Sequence, residues 1–204
     1  MADAKRGLLV DWGGVMTTDV FASFAAFCAR EDLSMDTVRH LFRSDPASRD
    51  LLVGLETGTL PEADFERGFA AVLGVAPEGL IPRMFADAGP DEAMLAAVRR
   101  ARSAGIRTGL ISNSWGAGTY DRTLLTELFD GVVISGDVGV RKPTPEIYAM
   151  GARAVGLAPA ECVFVDDLPF NLKPAREMGM ATVRHVAAGQ TIAELEQVLG
   201  VSLA

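Results

Sequence analysis

Four segments of the sequence place polar side chains directly after, or just beyond, a short apolar run. Asp11 follows LLV, Ser112 follows GLI, Lys142 lies beyond VVIS, and the pair Asp166 and Asp167 follows CVFV. Adjacent carboxylates are ligands that Mg²⁺ prefers, and a carboxylate is an ionised nucleophile at neutral pH without help from a base. If these side chains meet, the chemistry they imply is phosphoryl transfer through an aspartyl-phosphate.

The charges of this set require a cation. When all of the groups are ionised, three carboxylates and the Lys142 amine sum to −2. Each pair of like charges about 4 Å apart would cost on the order of 4 kcal/mol at an effective dielectric of about 20. One Mg²⁺ restores neutrality, and a phosphate bridged by the metal and Lys142 leaves Asp11 able to approach phosphorus in line. The residues therefore predict a magnesium site beside a phosphate site.

The apolar runs before these side chains predict strands that are buried on both faces, because they are apolar throughout and do not alternate. The predicted strands span residues 8–10, 108–111, 132–135 and 162–165, with a weaker run at 181–186. Helical patterns lie between them, with capping boxes predicted at Thr59 with Glu62 and at Thr191 with Glu194. This alternation predicts an α/β fold with a doubly wound parallel sheet, whose carboxyl-terminal strand ends open on one edge.

One interval breaks the alternation, because from residue 17 to residue 87 the pattern is helical only. We expect a small helical cap inserted after the first strand. The chain would then consist of a core domain, residues 1–16 and 88–204, and a cap domain, residues 17–87. The insertion leaves the core just after Asp11, where open α/β sheets bind ligands, so we expect it to cover the site.

Composition favours an enzyme or a binding protein and excludes several other classes. The chain has 204 residues, of which 49% are hydrophobic and 23% charged, a composition that excludes an intrinsically disordered protein. A net charge of −8 provides no general attraction to nucleic acid or to anionic lipid. Two cysteines are too few for a disulfide framework, and neither a signal-peptide core nor a stretch of 18 apolar residues is present. We expect a cytoplasmic protein without a nucleic-acid or membrane partner.

Taken together, four motifs resemble the haloacid dehalogenase-like (HAD) hydrolase superfamily, most of whose members are Mg²⁺-dependent phosphatases. The motifs are LLVDWGGV, LISNSWG, VGVRKPTPEIY and VFVDDLPFNLKPAREMGM, and they span nearly the whole chain. The helical cap after the first motif is similar to that of the subfamily containing the amino-terminal phosphatase domain of soluble epoxide hydrolases. The resemblance implies a Rossmann-like core, Mg²⁺ as the cofactor and a small phosphorylated metabolite as the substrate.

The resemblance places the metal on residues of the first and fourth motifs. Asp11 would be both the nucleophile and a metal ligand, and Gly13 would offer its backbone carbonyl. Asp166 and Asp167 would complete the site, with Asp167 expected as the direct ligand and the other acting through water. Asn171 would support the loop that carries this acidic pair.

The resemblance also implies roles on the substrate side. Ser112 would hold a phosphoryl oxygen, and Asn113 would help to line the pocket. Lys142 would neutralise the phosphate and the acidic cluster. Trp115 follows the serine motif, and both substrate contact and packing against the cap remain open for it.

One position departs from the pattern of many phosphatases in the superfamily. They carry a second Asp two residues after the nucleophile, which protonates the leaving group and then activates water, whereas this chain has Gly13. Losing a general acid or base typically removes about 10²- to 10⁴-fold in rate. We therefore expect turnover to favour leaving groups that need little protonation, such as those of sugar-1-phosphates, acyl phosphates or aryl phosphates.

Two alternative functions remain open from the sequence. The chain could be a scaffold of weak or absent activity that binds a phosphorylated metabolite or a protein partner, since the anion-binding residues persist without the second Asp. A haloacid dehalogenase is favoured less, because that chemistry needs no metal and generally lacks a carboxylate pair like Asp166 and Asp167. The oligomeric state has no readable signal.

Overall fold

A computed structural model describes residues 4–116, 118 and 120–203 and contains one five-stranded sheet. The strands are β1 (Gly7–Val10), β2 (Arg107–Ser112), β3 (Gly131–Ile134), β4 (Cys162–Asp166) and β5 (Ala181–Arg184). Their order across the sheet is β3-β2-β1-β4-β5, and every neighbouring pair is parallel. The predicted α/β fold with a parallel sheet is confirmed. The strand order reverses between β1 and β4, which is where sheets of this type bind ligands.

Helices surround this sheet and fill the interval after β1. The helices between β1 and β2 are α1 (Val20–Arg30), α2 (Met35–Ser44), α3 (Pro46–Glu56), α4 (Glu62–Leu73), α5 (Leu80–Met84) and α6 (Glu92–Ser103). Those after β2 are α7 (Arg122–Leu128), α8 (Ser135–Val138), α9 (Pro145–Ala154), α10 (Pro169–Glu177) and α11 (Ala188–Leu199). A 3-10 turn, Pro159–Glu161, precedes β4. We call helices α1–α5 the helical insert.

The strands are mainly apolar because helices cover both faces of the sheet. In β1, the side chains of Leu8 and Val10 pack into one buried cluster with Leu95 of α6. The intervening Leu9 packs into the other cluster with Tyr148 of α9. Burying a side chain of this size contributes about 1.5–3 kcal/mol relative to leaving it exposed. The central strand that carries Asp11 is therefore held from both sides.

The helical insert has a hydrophobic cluster of its own. Phe27 of α1 and Phe65 and Phe69 of α4 are completely or almost completely buried within it. The ring of Trp115, from the loop after β2, packs against this cluster. The division of the chain into a core domain and a cap domain at residues 17 and 88 stays a prediction.

Some predicted helix and strand ends are wrong. Helix α4 begins at Glu62 without a side-chain cap, and the Thr59 hydroxyl donates instead to the Gly54 carbonyl in the last turn of α3. Helix α11 begins before Thr191, whose hydroxyl is hydrogen-bonded to His185 at 3.0 Å. Each threonine hydroxyl is therefore hydrogen-bonded to a group other than the helix N–H that the predicted cap required. Strand β3 ends one residue before Ser135, and β5 ends two residues earlier than predicted.

Candidate active site

The candidate site lies at the carboxyl-terminal edge of the three central strands. Asp11 follows β1, Ser112 is the last residue of β2, and Asp166 is the last residue of β4. Because Val10 lies opposite Val165 in the parallel register, Asp11 and Asp166 reach the edge at the same level. The backbone N–H of Asp11 donates to the Val165 carbonyl at 2.9 Å, so the hydrogen-bond ladder continues up to the site.

Three carboxylates form a tight cluster at this edge. Asp11, Asp166 and Asp167 each offer an oxygen, and these oxygens lie within 4.8 Å of one another. Burial raises the pKa of Asp11 to about 8 and that of Asp167 to about 6, and the nearby Asp166 charge adds to both shifts. Ionisation of all three groups is therefore unfavourable unless a cation shares the site.

Lys142 supplies one such cation from within the protein. Its side chain is only 1% exposed, and its Nζ lies 2.8 Å from Asp11 Oδ1 and 2.7 Å from Asp166 Oδ2. Burial alone would lower the pKa of Lys142, but the two carboxylates raise it above its ordinary value. The lysine is therefore charged, and the four ionised groups would retain a net charge of −2.

Asp166 is held in place by several donors besides Lys142. The Asn171 Nδ2 group donates to both of its oxygens at 3.0 and 3.1 Å, and the Leu168 N–H donates to Oδ1 at 2.9 Å. Asn171 lies in the first turn of α10, and its backbone carbonyl accepts from the Tyr148 hydroxyl at 2.7 Å. These contacts fix the orientation of the Asp166 carboxylate before any ligand binds.

The end of β2 and the loop after it contribute Ser112 and Asn113 to the candidate site. Ser112 Oγ and the Tyr120 hydroxyl are hydrogen-bonded at 2.9 Å, and both groups are buried. The Asn113 side chain accepts from the Lys142 N–H at 2.8 Å and donates to the Lys142 carbonyl at 3.2 Å. This pairing ties the loop after β2 to the segment that carries the lysine.

A cavity of about 690 Å³ separates the sheet edge from the helical insert. The candidate residues Asp11, Ser112, Asn113, Trp115, Lys142, Asp167 and Asn171 line it together with Gly13. Its walls toward the insert are mainly apolar and include Val20, Phe24, Val38, Phe42, Leu52, Ile81 and Phe85.

Trp115 has a position that is compatible with both roles that the sequence left open, packing against the insert and contact with substrate. Its ring centroid lies 5.2 Å from that of Phe85 and 5.5 Å from that of Phe24, so it packs into the insert. The same residue also lines the cavity. Its contact with the insert is observed directly, and a contact with substrate stays a prediction.

Gly13 has room for a side chain. A Cβ atom built there would meet Val20 Cγ2 at 3.5 Å, an ordinary contact, and the backbone is not in the left-handed region. Gly14 differs, because its φ is +73° and a Cβ would lie 2.9 Å from an Asp167 oxygen. The backbone geometry therefore requires glycine at position 14 but not at position 13.

Three polar residues of the site were missed by the sequence analysis: Glu56, Tyr120 and Arg141. Glu56 is the last residue of α3, and its Oε2 pairs with Arg141 Nε at 2.7 Å and accepts from Asn113 Nδ2 at 3.3 Å. Arg141 directly precedes Lys142, so its place in the third motif was the one available signal. Contacts of Glu56 and Tyr120 depend on tertiary docking, which leaves no local pattern.

The fold and the site together define an α/β protein of Rossmann-like topology, with an acidic cluster and a buried lysine at the switch point of its sheet. A sequence model of the haloacid dehalogenase-like hydrolases matches residues 5–179. The chain belongs to this family of hydrolases, as the four motifs predicted.

Curated relatives include phosphatases and a larger enzyme. Bifunctional epoxide hydrolase 2 of Rattus norvegicus is 35% identical over 114 residues, which cover 52% of this chain and 21% of that protein. Glyceraldehyde 3-phosphate phosphatase of Methanopyrus kandleri is 33% identical over 87 residues, covering 41% of this chain and 37% of that protein. The match thus spans about a fifth of the first relative and under two fifths of the second.

Solved structures of HAD enzymes share the fold. The HAD family enzyme BT-2542 of Bacteroides thetaiotaomicron, in complex with magnesium and inorganic phosphate, has a TM-score of 0.66 and 22% identity, covering 90% of this chain and 95% of that one. A predicted HAD-like hydrolase of Porphyromonas gingivalis has a TM-score of 0.72 and 19% identity, covering 98% and 100%. In the described part of this chain, no helix is both long enough and apolar enough to cross a membrane.

Proposed function

We propose that this chain is a Mg²⁺-dependent phosphatase that hydrolyses small phosphorylated metabolites through an aspartyl-phosphate on Asp11. The observation that carries the proposal is the buried Lys142, whose amine contacts Asp11 and Asp166 at the edge of the cavity. A buried ammonium among carboxylates is costly to maintain for stability alone, and such arrangements are common in sites that bind and transfer anionic groups.

The donor set fits a hard divalent cation. Asp11, the Gly13 carbonyl and Asp167 would hold Mg²⁺, with Asp166 acting through water, because Lys142, Asn171 and a backbone N–H already occupy its oxygens. Asn171 Oδ1 is also buried without a hydrogen-bond partner among the described residues, which suits a nearby water. When bound, Mg²⁺ supplies positive charge that offsets the acidic cluster and the phosphoryl oxygens.

The remaining residues of the site would orient the phosphoryl group. Ser112 would donate to one of its oxygens, with the Tyr120 hydroxyl fixing the rotamer of the serine at 2.9 Å. Lys142 would contact both the nucleophile and the phosphoryl group, so it would hold the two reacting partners together. Asp11 would then attack phosphorus from the edge of the sheet, with the leaving group on the opposite side.

The cavity supports a leaving group with an apolar body. Its walls toward the insert are mainly aromatic and aliphatic, and aryl phosphates fit this lining better than highly hydroxylated sugars. The absence of an acid at Gly13 favours the same class. This preference for leaving groups that need little protonation holds only where no other acid reaches the leaving oxygen.

Hydrolysis of p-nitrophenyl phosphate with Mg²⁺ tests the function, because nitrophenolate departs without a proton donor. We expect activity that is lost on chelation and in Asp11→Asn. Circular dichroism should confirm that this variant keeps the fold of the unmodified chain. Transient phosphorylation of Asp11, read by mass spectrometry after rapid quenching, would identify the intermediate. Tight binding of phosphate esters without turnover would instead support the scaffold that binds a metabolite or a protein.

A cytoplasmic location is part of the same proposal. It rests on the acidic net charge and on the two cysteines, Cys28 and Cys162, which are both free and buried. Fractionation of cells that produce the full-length protein, followed by immunoblotting, would test it. Recovery mainly with membranes would contradict it.

A further inference from the structure

Glu56 lies where the helical insert docks onto the core. It ends helix α3, and its backbone carbonyl accepts a hydrogen bond from Ser135 Oγ, which also accepts from the Ser114 N–H at 2.8 Å. The residue is only 5% exposed, although glutamate is almost never buried unless it is paired. The insert therefore holds a carboxyl group at a fixed place against the core.

The two oxygens of the Glu56 carboxyl have different surroundings. Oε2 pairs with Arg141 at 2.7 Å and with Asn113 at 3.3 Å, whereas Oε1 has no hydrogen-bond partner in the described part of the chain. The residue lines the cavity. The arrangement thus fixes one oxygen and leaves the other available to a ligand.

The partners of Glu56 place it beside the phosphate site. Asn113 follows Ser112 in the sequence, and Arg141 precedes Lys142. In-line displacement at phosphorus puts the leaving group opposite the attacking Asp11 oxygen, so the leaving group must extend away from Asp11 and toward the insert. Glu56 is the buried acidic residue on that side of the cavity.

Other acidic side chains along the cavity are less suited to give a proton to the leaving group. Asp11 and Asp167 belong to the acidic cluster, and Glu62 is exposed. Burial raises the pKa of Glu56 to about 7, even though Arg141, Lys142 and Asn113 lower it. A group that titrates near neutral pH is well matched to proton transfer.

We propose that Glu56 is the general acid of this site and supplies the proton that Gly13 cannot; the proposal rests on the proposed phosphatase function. As an Asp11 oxygen bonds to phosphorus, the bond from phosphorus to the ester oxygen breaks, and its electron pair stays on that oxygen. The proton of the Glu56 carboxyl passes to the same oxygen, and the alcohol leaves. Water then attacks the phosphorus of the aspartyl-phosphate and passes a proton to the Glu56 carboxylate. The bond from phosphorus to the Asp11 oxygen breaks, its electron pair returns to the Asp11 carboxylate, and phosphate is released.

Two substrates of similar size but different leaving groups test this role. p-Nitrophenyl phosphate releases a stable anion, whereas benzyl phosphate releases an alkoxide that must be protonated. We expect Glu56→Gln to lower kcat/KM for benzyl phosphate by about 10²- to 10⁴-fold. The loss for p-nitrophenyl phosphate should be at least about tenfold smaller, because its leaving group needs little protonation.

The pH profile and a second variant sharpen the test. For the unmodified chain, kcat/KM for benzyl phosphate should fall above about pH 7, where Glu56 loses its proton, and Glu56→Gln should remove this decline. Adding Gly13→Asp to Glu56→Gln should restore benzyl phosphate hydrolysis, because position 13 has room for the side chain.

Glu66→Gln is the matched control, since Glu66 is another glutamate of the insert and its side chain does not line the cavity. Its carboxylate accepts from the backbone N–H of Ile81 at 2.9 Å. It should leave both rates unchanged. Equal losses for the two substrates in Glu56→Gln would show that the residue only positions the insert, and no loss would show that it has no role. Either result overturns this inference, whereas failure of the unmodified chain to hydrolyse either ester would overturn the proposed function itself.

Discussion

Among the individual residues, Lys142 determines whether the acidic cluster can stay buried. Its amine contacts two carboxylates within 2.8 Å, and its nitrogen lies 5.5 Å from the centroid of the Phe164 ring. Removing one partner of a buried ion pair leaves an uncompensated charge and costs about 3–5 kcal/mol. We expect Lys142→Met to lower the free energy of unfolding by about that amount, measured by urea denaturation at neutral pH with a chelator present.

Lys173→Met provides the control for this prediction. Lys173 is an exposed lysine whose Nζ lies 3.9 Å from Glu177 on α10. Exposed pairs of this kind contribute at most about 0.5 kcal/mol. If the two variants destabilise the protein equally, the charge balance described for the cluster is wrong.

The pKa of Glu56 predicts a pH dependence of stability. Its pKa is raised from 4.5 to about 7 on folding, mainly by burial, so the folded chain holds the proton more strongly than the unfolded chain. The stabilisation from this proton is fully present below pH 4.5 and is lost as the pH rises through about 7. Glu56→Gln removes this titration. The melting temperature of the variant minus that of the unmodified chain should therefore increase as the pH is raised from about 5 to about 8. A difference that does not change with pH would contradict this.

Among the elements, the strands were predicted well, whereas two helix starts and the docking of the helical insert were not. The strands were placed within one or two residues, because both faces of the sheet are covered and the runs are mainly apolar. The helix starts at Thr59 and Thr191 were misplaced, because their hydroxyls bond to Gly54 and His185, earlier in the chain, and not to the N–H groups of the helix that follows. The position of Glu56 has a different cause, because its partners lie 57 and more residues away in the chain.

The contact between the helical insert and the core depends on a close backbone approach at Gly58. This residue has a φ of +70°, and a Cβ there would lie 2.5 Å from the Gly136 carbonyl oxygen. Gly74 has nearly the same φ, +74°, with nothing within 4 Å of its Cβ position. An alanine in this backbone region costs about 1–2 kcal/mol by itself.

Comparing Gly58→Ala with Gly74→Ala therefore separates docking of the insert from backbone strain. We expect Gly74→Ala to lose about 1–2 kcal/mol and Gly58→Ala to lose more, because its methyl group would push the insert from the core. Gly58→Ala should also lower kcat/KM, since the same segment carries Glu56 into the cavity. Equal losses of unfolding free energy in chemical denaturation would show that the approach of the two segments is not important for stability.

For the molecule as a whole, the topology explains how much of the site the sequence could predict. Parallel strands bring their carboxyl ends to one edge, so Asp11, Ser112 and Asp166 converge without any information about packing. Lys142 was placed in the set by its position beyond the third predicted strand, but its burial was not predicted, because a lysine before proline carries no sign of burial. Tyr120 and Glu56 required the structure, since their contacts form only after the loops and the insert have docked.

This convergence of charge at one edge predicts that Mg²⁺ stabilises the whole fold. When its three carboxylates are ionised, the cluster retains a net charge of −2 after pairing with Lys142. A cation that binds only the folded chain adds about 2.7 kcal/mol of stability at a concentration of about 100 times its Kd. The melting temperature should therefore rise with Mg²⁺ and return to its starting value on chelation. Asp167→Asn should remove most of this rise, because Asp167 is the expected direct ligand.

Asp137→Asn is the matched variant for the Mg²⁺ measurement, since it removes an exposed aspartate whose carboxylate pairs with Arg122 at 3.3 Å. It should keep the full rise in melting temperature, and sodium chloride at equal ionic strength should not reproduce the rise. A melting temperature unaffected by Mg²⁺, with no heat of binding in calorimetry, would mean that the acidic cluster is balanced by protons. Asp11 would then be a weak nucleophile at neutral pH, because burial raises its pKa to about 8.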